Sequence, residues 1–80
     1  MKLEITKEHL ESGKNFYIDG LKCPIGLALK EKFPERLVRA YSAYVEVGDK
    51  RFDIFNIPEN FAFNLPLGKV KPFVLEIDGL

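Results

Sequence analysis

Apolar residues recur at two different periods along this chain, and the change falls at Pro34. Before it, Ile25, Ala28, Leu29 and Phe33 lie three and four residues apart, which lines them up on one face of a helix. Pro24 suits a first helical position, where its missing N–H would be unpaired anyway, and so makes Cys23 the N-cap. Pro34 forbids further helix and biases Phe33 toward extended backbone. Lys30 and Lys32 fall where the helix dipole favours positive charge. The stretch Cys23–Pro34 therefore predicts the main helix. Gly26 costs it roughly 1 kcal/mol against alanine, and marks a place where a strand passes close by.

Upstream the signals are shorter. Lys2–Ile5 alternates polar and apolar residues and predicts a half-buried strand. Thr6 is a fair N-cap and Glu8 sits in a first turn. Gly13 is placed to end the helix in a left-handed conformation, so Lys7–Ser12 predicts a helix of under two turns anchored by Leu10. From Lys14 to Lys22 two readings stay open. One is a strand over Asn15–Ile18 with a turn at Asp19-Gly20, and the other is a loop with buried aromatics.

After Pro34 the period becomes two. Gly48-Asp49 fits a two-residue hairpin turn with positive φ at the glycine. That turn pairs Val47 with Lys50, Glu46 with Arg51, Val45 with Phe52, Tyr44 with Asp53 and Ala43 with Ile54. Ala43, Val45, Val47, Phe52 and Ile54 then share one face, while Glu46 and Arg51 meet on the other as a cross-strand charge pair. Asn56–Asn64 contains Pro58 and reads as a connection, in which Phe61 and Phe63 point the same way if it is extended. In the last stretch Val70, Phe73, Val74 and Ile77 have helical spacing, and a helix starting near Lys69 is favoured. Pro72 conflicts with it unless it falls in the first turn, and a strand over Lys71–Ile77 is the alternative.

Composition narrows the class. Eighty residues, 46% of them apolar, give one domain over residues 1–80 with a folded core. The elements add up to an α+β fold, a small antiparallel sheet of three or four strands packed against two or three helices. Twelve basic and twelve acidic residues cancel, so no global field draws the chain to nucleic acid or to an anionic membrane. The start lacks the apolar run of a signal peptide, no stretch is long enough to span a membrane, and the single cysteine rules out an internal disulfide. The expected location is a cytoplasm.

The motifs Glu8-His9-Leu10-Glu11-Ser12-Gly13, Cys23-Pro24-Ile25-Gly26-Leu27-Ala28-Leu29 and Leu65-Pro66 with Val70, Phe73 and Asp78-Gly79 follow one another around the hairpin. This order resembles small uncharacterised proteins encoded by phages and prophages, which share a HI..G turn, a CPIALAL or CPVALAL helix and an LP..V..F tail ending in D.G. The chain departs from that pattern at Gly26, where alanine is usual, and at Pro72. The resemblance implies an α+β fold and a phage accessory context, in a host cytoplasm. It implies no chemistry, and no functional residues are carried over from it.

Candidate chemistry is sparse. Cys23 at a helix N-terminus can have a lowered thiol pKa, and His9 could serve as its base, which gives a thiol-dependent enzyme as one reading. A buried cysteine and a histidine hydrogen-bonded near a helix start is the favoured one. One Cys and one His do not make a metal site, and no cofactor motif occurs. For nucleic acid, the Lys50-Arg51 and Lys69/Lys71 clusters and the rings of Tyr41, Tyr44 and Phe55 could serve, but overall neutrality disfavours it. The outer hairpin face is the better site: Tyr41, Tyr44, Glu46, Arg51 and Phe55 combine the residue types enriched at protein interfaces. The sequence therefore points to a non-enzymatic accessory protein that binds a host protein, as inhibitor or adaptor, or a second copy of itself. A nucleic-acid-binding module is the alternative.

Overall fold

The computed structural model describes residues 1–13, 23–41 and 43–80. The two readings of Lys14–Lys22 lie outside the described residues. The first strand, β1 (Lys2–Ile5), buries Leu3 and Ile5 and exposes Lys2 and Glu4, as its alternation requires. Helix α1 (Lys7–Ser12) follows at once. Thr6 caps it: the Thr6 hydroxyl accepts from the His9 N–H at 3.2 Å, and His9 Nδ1 accepts from the Thr6 N–H at 3.0 Å. This is a capping box with a histidine in the place usually held by Glu or Gln. Gly13 does not take the expected left-handed conformation. At φ −106° its N–H closes the last turn on the His9 carbonyl, so the helix ends without reversing.

Helix α2 (Pro24–Lys32) has Pro24 in its first turn and Cys23 as N-cap. Ile25, Ala28 and Leu29 are buried, and Phe33 packs against the core they form. The strands β2 (Val38–Ala40), β3 (Tyr44–Val47) and β4 (Lys50–Asp53) make an antiparallel sheet in the order β2-β3-β4. The β3–β4 register is the predicted one, from Val47↔Lys50 to Tyr44↔Asp53, and the Ile54 N–H reaches the Ala43 carbonyl beyond it at 3.1 Å. Gly48 at the turn has φ +65°. Val45, Val47 and Ile54 are buried and Phe52 is partly so, whereas Ala43 is exposed.

Two stretches after the hairpin differ from expectation. The connection contains a short helix, α3 (Phe61–Asn64), entered through Asn60 in the left-handed region, so it is not extended there. Helical geometry separates the two phenylalanines: Phe61 is 3% exposed and Phe63 is 70% exposed. The last stretch is a strand, β5 (Phe73–Glu76), and not the favoured helix. Pro72 sits just before it, where its missing N–H interrupts no ladder. The deciding partner is β1, with which β5 pairs antiparallel from Lys2↔Glu76 to Ile5↔Phe73. Leu75 and Ile77 then go inward beside Leu3 and Ile5, while Val74, which a helical stripe would have buried, is 49% exposed.

The chain is thus α+β, with the β1-β5 pair and the β2-β3-β4 sheet both antiparallel. A single bridge, Ile54↔Ile77, joins the two. Asn56 rivets the same seam, donating from Nδ2 to the Val74 carbonyl at 2.9 Å and accepting at Oδ1 from the Glu76 N–H at 2.8 Å. Helix α2 packs on β1 of the two-stranded pair and on β2 of the three-stranded sheet. The buried side chains of α2 and of the strands form one core. Sixteen hydrophobic residues are buried there among the described residues, including Leu29, Val38, Val45, Leu65 and Leu75.

Candidate functional site

Because side chains alternate across a strand, burying Val38, Ala40, Val45 and Val47 sends their neighbours outward. The registers then align the outward residues in rows. Arg39, Glu46 and Arg51 form one, through Arg39↔Glu46 and Glu46↔Arg51. Tyr41, Tyr44 and Asp53 form the next, through the Tyr41 N–H to Tyr44 carbonyl bond of 2.9 Å and the Tyr44↔Asp53 pair. Phe55, two residues beyond Asp53 on the same face, is 75% exposed.

The side chains on this face are organised. The Tyr41 and Tyr44 rings stack with centroids 4.7 Å apart and planes 27° from parallel. The Arg51 guanidinium lies 4.2 Å from the centre of the Tyr44 ring. Arg51 comes from β4 and Tyr41 directly follows β2, on either side of β3, so Tyr44 is held between them. Offset ring stacking and a cation over a ring each contribute about 0.5–1 kcal/mol at a surface. Arg51 stands in register with Glu46, but its guanidinium lies over the Tyr44 ring.

All five residues the sequence nominated, Tyr41, Tyr44, Glu46, Arg51 and Phe55, share this face. Arg39 and Asp53 belong to it as well. Arg39 escaped notice because β2 is only three residues long, although the Val38-Arg39-Ala40 alternation is a visible signal. Asp53 was already in the predicted register, opposite Tyr44.

Cys23 and His9 have other roles. Cys23 is 0% exposed, and its Sγ accepts from the Gly26 N–H at 3.4 Å. Burial pushes its thiol pKa up; the helix-terminal N–H groups of Gly26 and Ile25 pull it down and lose. Nδ1 of His9 accepts from Thr6, so the neutral ring carries its proton on Nε2, which donates to the Glu31 carboxylate and ties α1 to α2. A shallow groove of about 340 Å³ runs along this helix seam, lined by Glu8, His9, Ser12, Leu27, Lys30 and Glu31. Among the described residues no cluster of His, Cys, Asp and Glu could hold a metal ion, and no helix is long and apolar enough to cross a membrane.

No protein-family model matches the chain, and neither a curated protein nor a solved structure matches it. Function therefore has to be argued from the face itself.

Proposed function

We propose that this chain is a binding protein and that the outer face of the β2-β3-β4 sheet is its docking surface. The observation that carries this reading is the Arg51–Tyr44–Tyr41 stack. Aromatic and arginine side chains held in one conformation before binding lose little entropy when a partner arrives, and these residue types dominate interface hot spots. Glu46, Arg39 and Asp53 provide the polar rim that surrounds such centres. The likeness of the sequence to phage-encoded proteins suggests a host protein as one class of partner, and a second copy of the chain is the other. The thiol reading is weakened by the burial of Cys23, and base stacking by the flanking of Tyr44 with Tyr41 and Arg51.

The test compares immobilised wild-type protein with Arg51→Ala and Phe55→Ala in capture from a bacterial host lysate. Phe55 is exposed, so its variant should melt close to wild type, and Arg51→Ala should lose no more stability than its contact with Tyr44 contributes. A protein retained by wild type and lost by both variants is the expected result. Equal retention by all three would remove the face from consideration.

A further inference from the structure

We infer that the outer sheet face docks on a second copy of this chain, in a two-fold contact that opposes Arg51 of each copy to Asp53 of the other. The inference rests on the reading of that face as a protein-binding surface and adds the partner. Its basis is the charge pattern of the two rows. Arg39–Glu46–Arg51 and Tyr41–Tyr44–Asp53 lie side by side, two residues apart along the strands, or about 7 Å.

Consider a two-fold axis lying in the contact plane, midway between the rows and running across the strands. It carries each row onto the other. The second copy's Arg51 then lies over Asp53, its Arg39 over Tyr41, and its Glu46 over Tyr44. Each of these contacts occurs twice, as an isologous interface demands. All three are favourable in kind: guanidinium with carboxylate, guanidinium over a ring, and carboxylate with a phenolic hydroxyl that can donate to it. An arginine lying flat on Tyr44 keeps the N–H edge of its fork free for a carboxylate. Sheets packed face to face stand about 10 Å apart, a gap that an arginine and an aspartate reaching toward each other can close.

The same pattern argues against a strongly charged partner. Arg39 and Arg51 balance Glu46 and Asp53, and the whole chain balances twelve against twelve. The patch is smaller than the 20–30 residues a side of a standard interface, so dissociation in the micromolar range is expected.

Sedimentation across about 0.1 μM to about 1 mM brackets that range. The wild-type mass should rise from the 9.2 kDa of one chain toward twice that value. Arg51→Asp places aspartates opposite aspartates, and Asp53→Arg places arginines opposite arginines, so each alone should associate at least tenfold more weakly. An equimolar mixture of the two restores both pairs and should form a heterodimer, and the double swap R51D/D53R should dimerise again. If loss of the Tyr44 contact unfolds Arg51→Asp, the near-isosteric Arg51→Gln must still weaken the dimer. A wild-type mass that stays monomeric throughout, or a mixture no heavier than its parts, overturns the inference. So does tight binding of a fluorescent oligothymidylate that depends on Tyr41 and excludes self-association. A monomeric wild type that still captures a host protein through Arg51 and Phe55 removes the second copy and leaves the binding surface standing.

Discussion

Cys23 occupies an N-cap position where serine, threonine, aspartate or asparagine is preferred. Its sulfur accepts the Gly26 N–H from inside the core, so a charged thiolate there would be cut off from water. The folded state consequently holds the proton more tightly than the unfolded chain. The raised folded pKa means that this contribution to stability is complete below the unfolded thiol value of about 8.5 and fades as pH rises toward the folded one. Urea midpoints of the wild type should therefore fall between about pH 8 and about pH 10, and Cys23→Ser should show a shallower fall. Parallel slopes for the two proteins would mean that the thiol is not held in its neutral form. The cap itself was legible, because Cys-Pro before an apolar stripe is a local signal. The raised pKa was not: the helix terminus suggested the opposite sign, and desolvation by a core assembled from distant residues outweighs it.

Among the elements, local signals decided those that succeeded and partners decided those that failed. The β3–β4 hairpin needs only its Gly48 turn and its own alternation, so its register could be read directly. Strand β5 has apolar spacing compatible with either period, and the choice is made by β1, far away in sequence. Helix α3 was missed because Pro58 and Pro66 flank a stretch too short for a periodic signal. Its far end is nonetheless well formed. Gly68 at φ +71° turns the chain, its N–H reaching the Leu65 carbonyl at 3.1 Å while the Lys69 N–H reaches the Asn64 carbonyl at 3.1 Å. This is a Schellman ending, which favours glycine at that position. Nothing lies within 4 Å of where a Cβ would stand, so Gly68→Ala meets no obstruction. The left-handed backbone alone should lower unfolding free energy by about 1–2 kcal/mol, and Gly68→Asn by less. An unchanged denaturation midpoint for the alanine variant would show that the turn is not held in this conformation.

At the scale of the molecule, the Ile54↔Ile77 bridge and the Asn56 rivet join the β1-β5 pair to the end of the β2-β3-β4 sheet. The β1–β5 pair also leads to an expected order of folding. Its bonds join Met1 and Ile77, 76 residues apart, so the entropy of closing that loop falls on a pairing that no neighbouring segment can nucleate. The β3–β4 hairpin, closed by a two-residue turn, can form on its own within microseconds. The barrier to folding should then be crossed with the hairpin built and the β1–β5 zipper still open. Truncating Val45 to Ala should slow refolding, whereas Leu3→Ala and Leu75→Ala should mainly speed unfolding, with φ-values of about 0–0.3. Stopped-flow chevrons showing β1 and β5 already formed at the barrier would reverse that order. If it holds, β1, synthesised before the four other strands described, waits longest for its partner, and the chain's kinetic lifetime is set by how rarely that last-closed pair reopens.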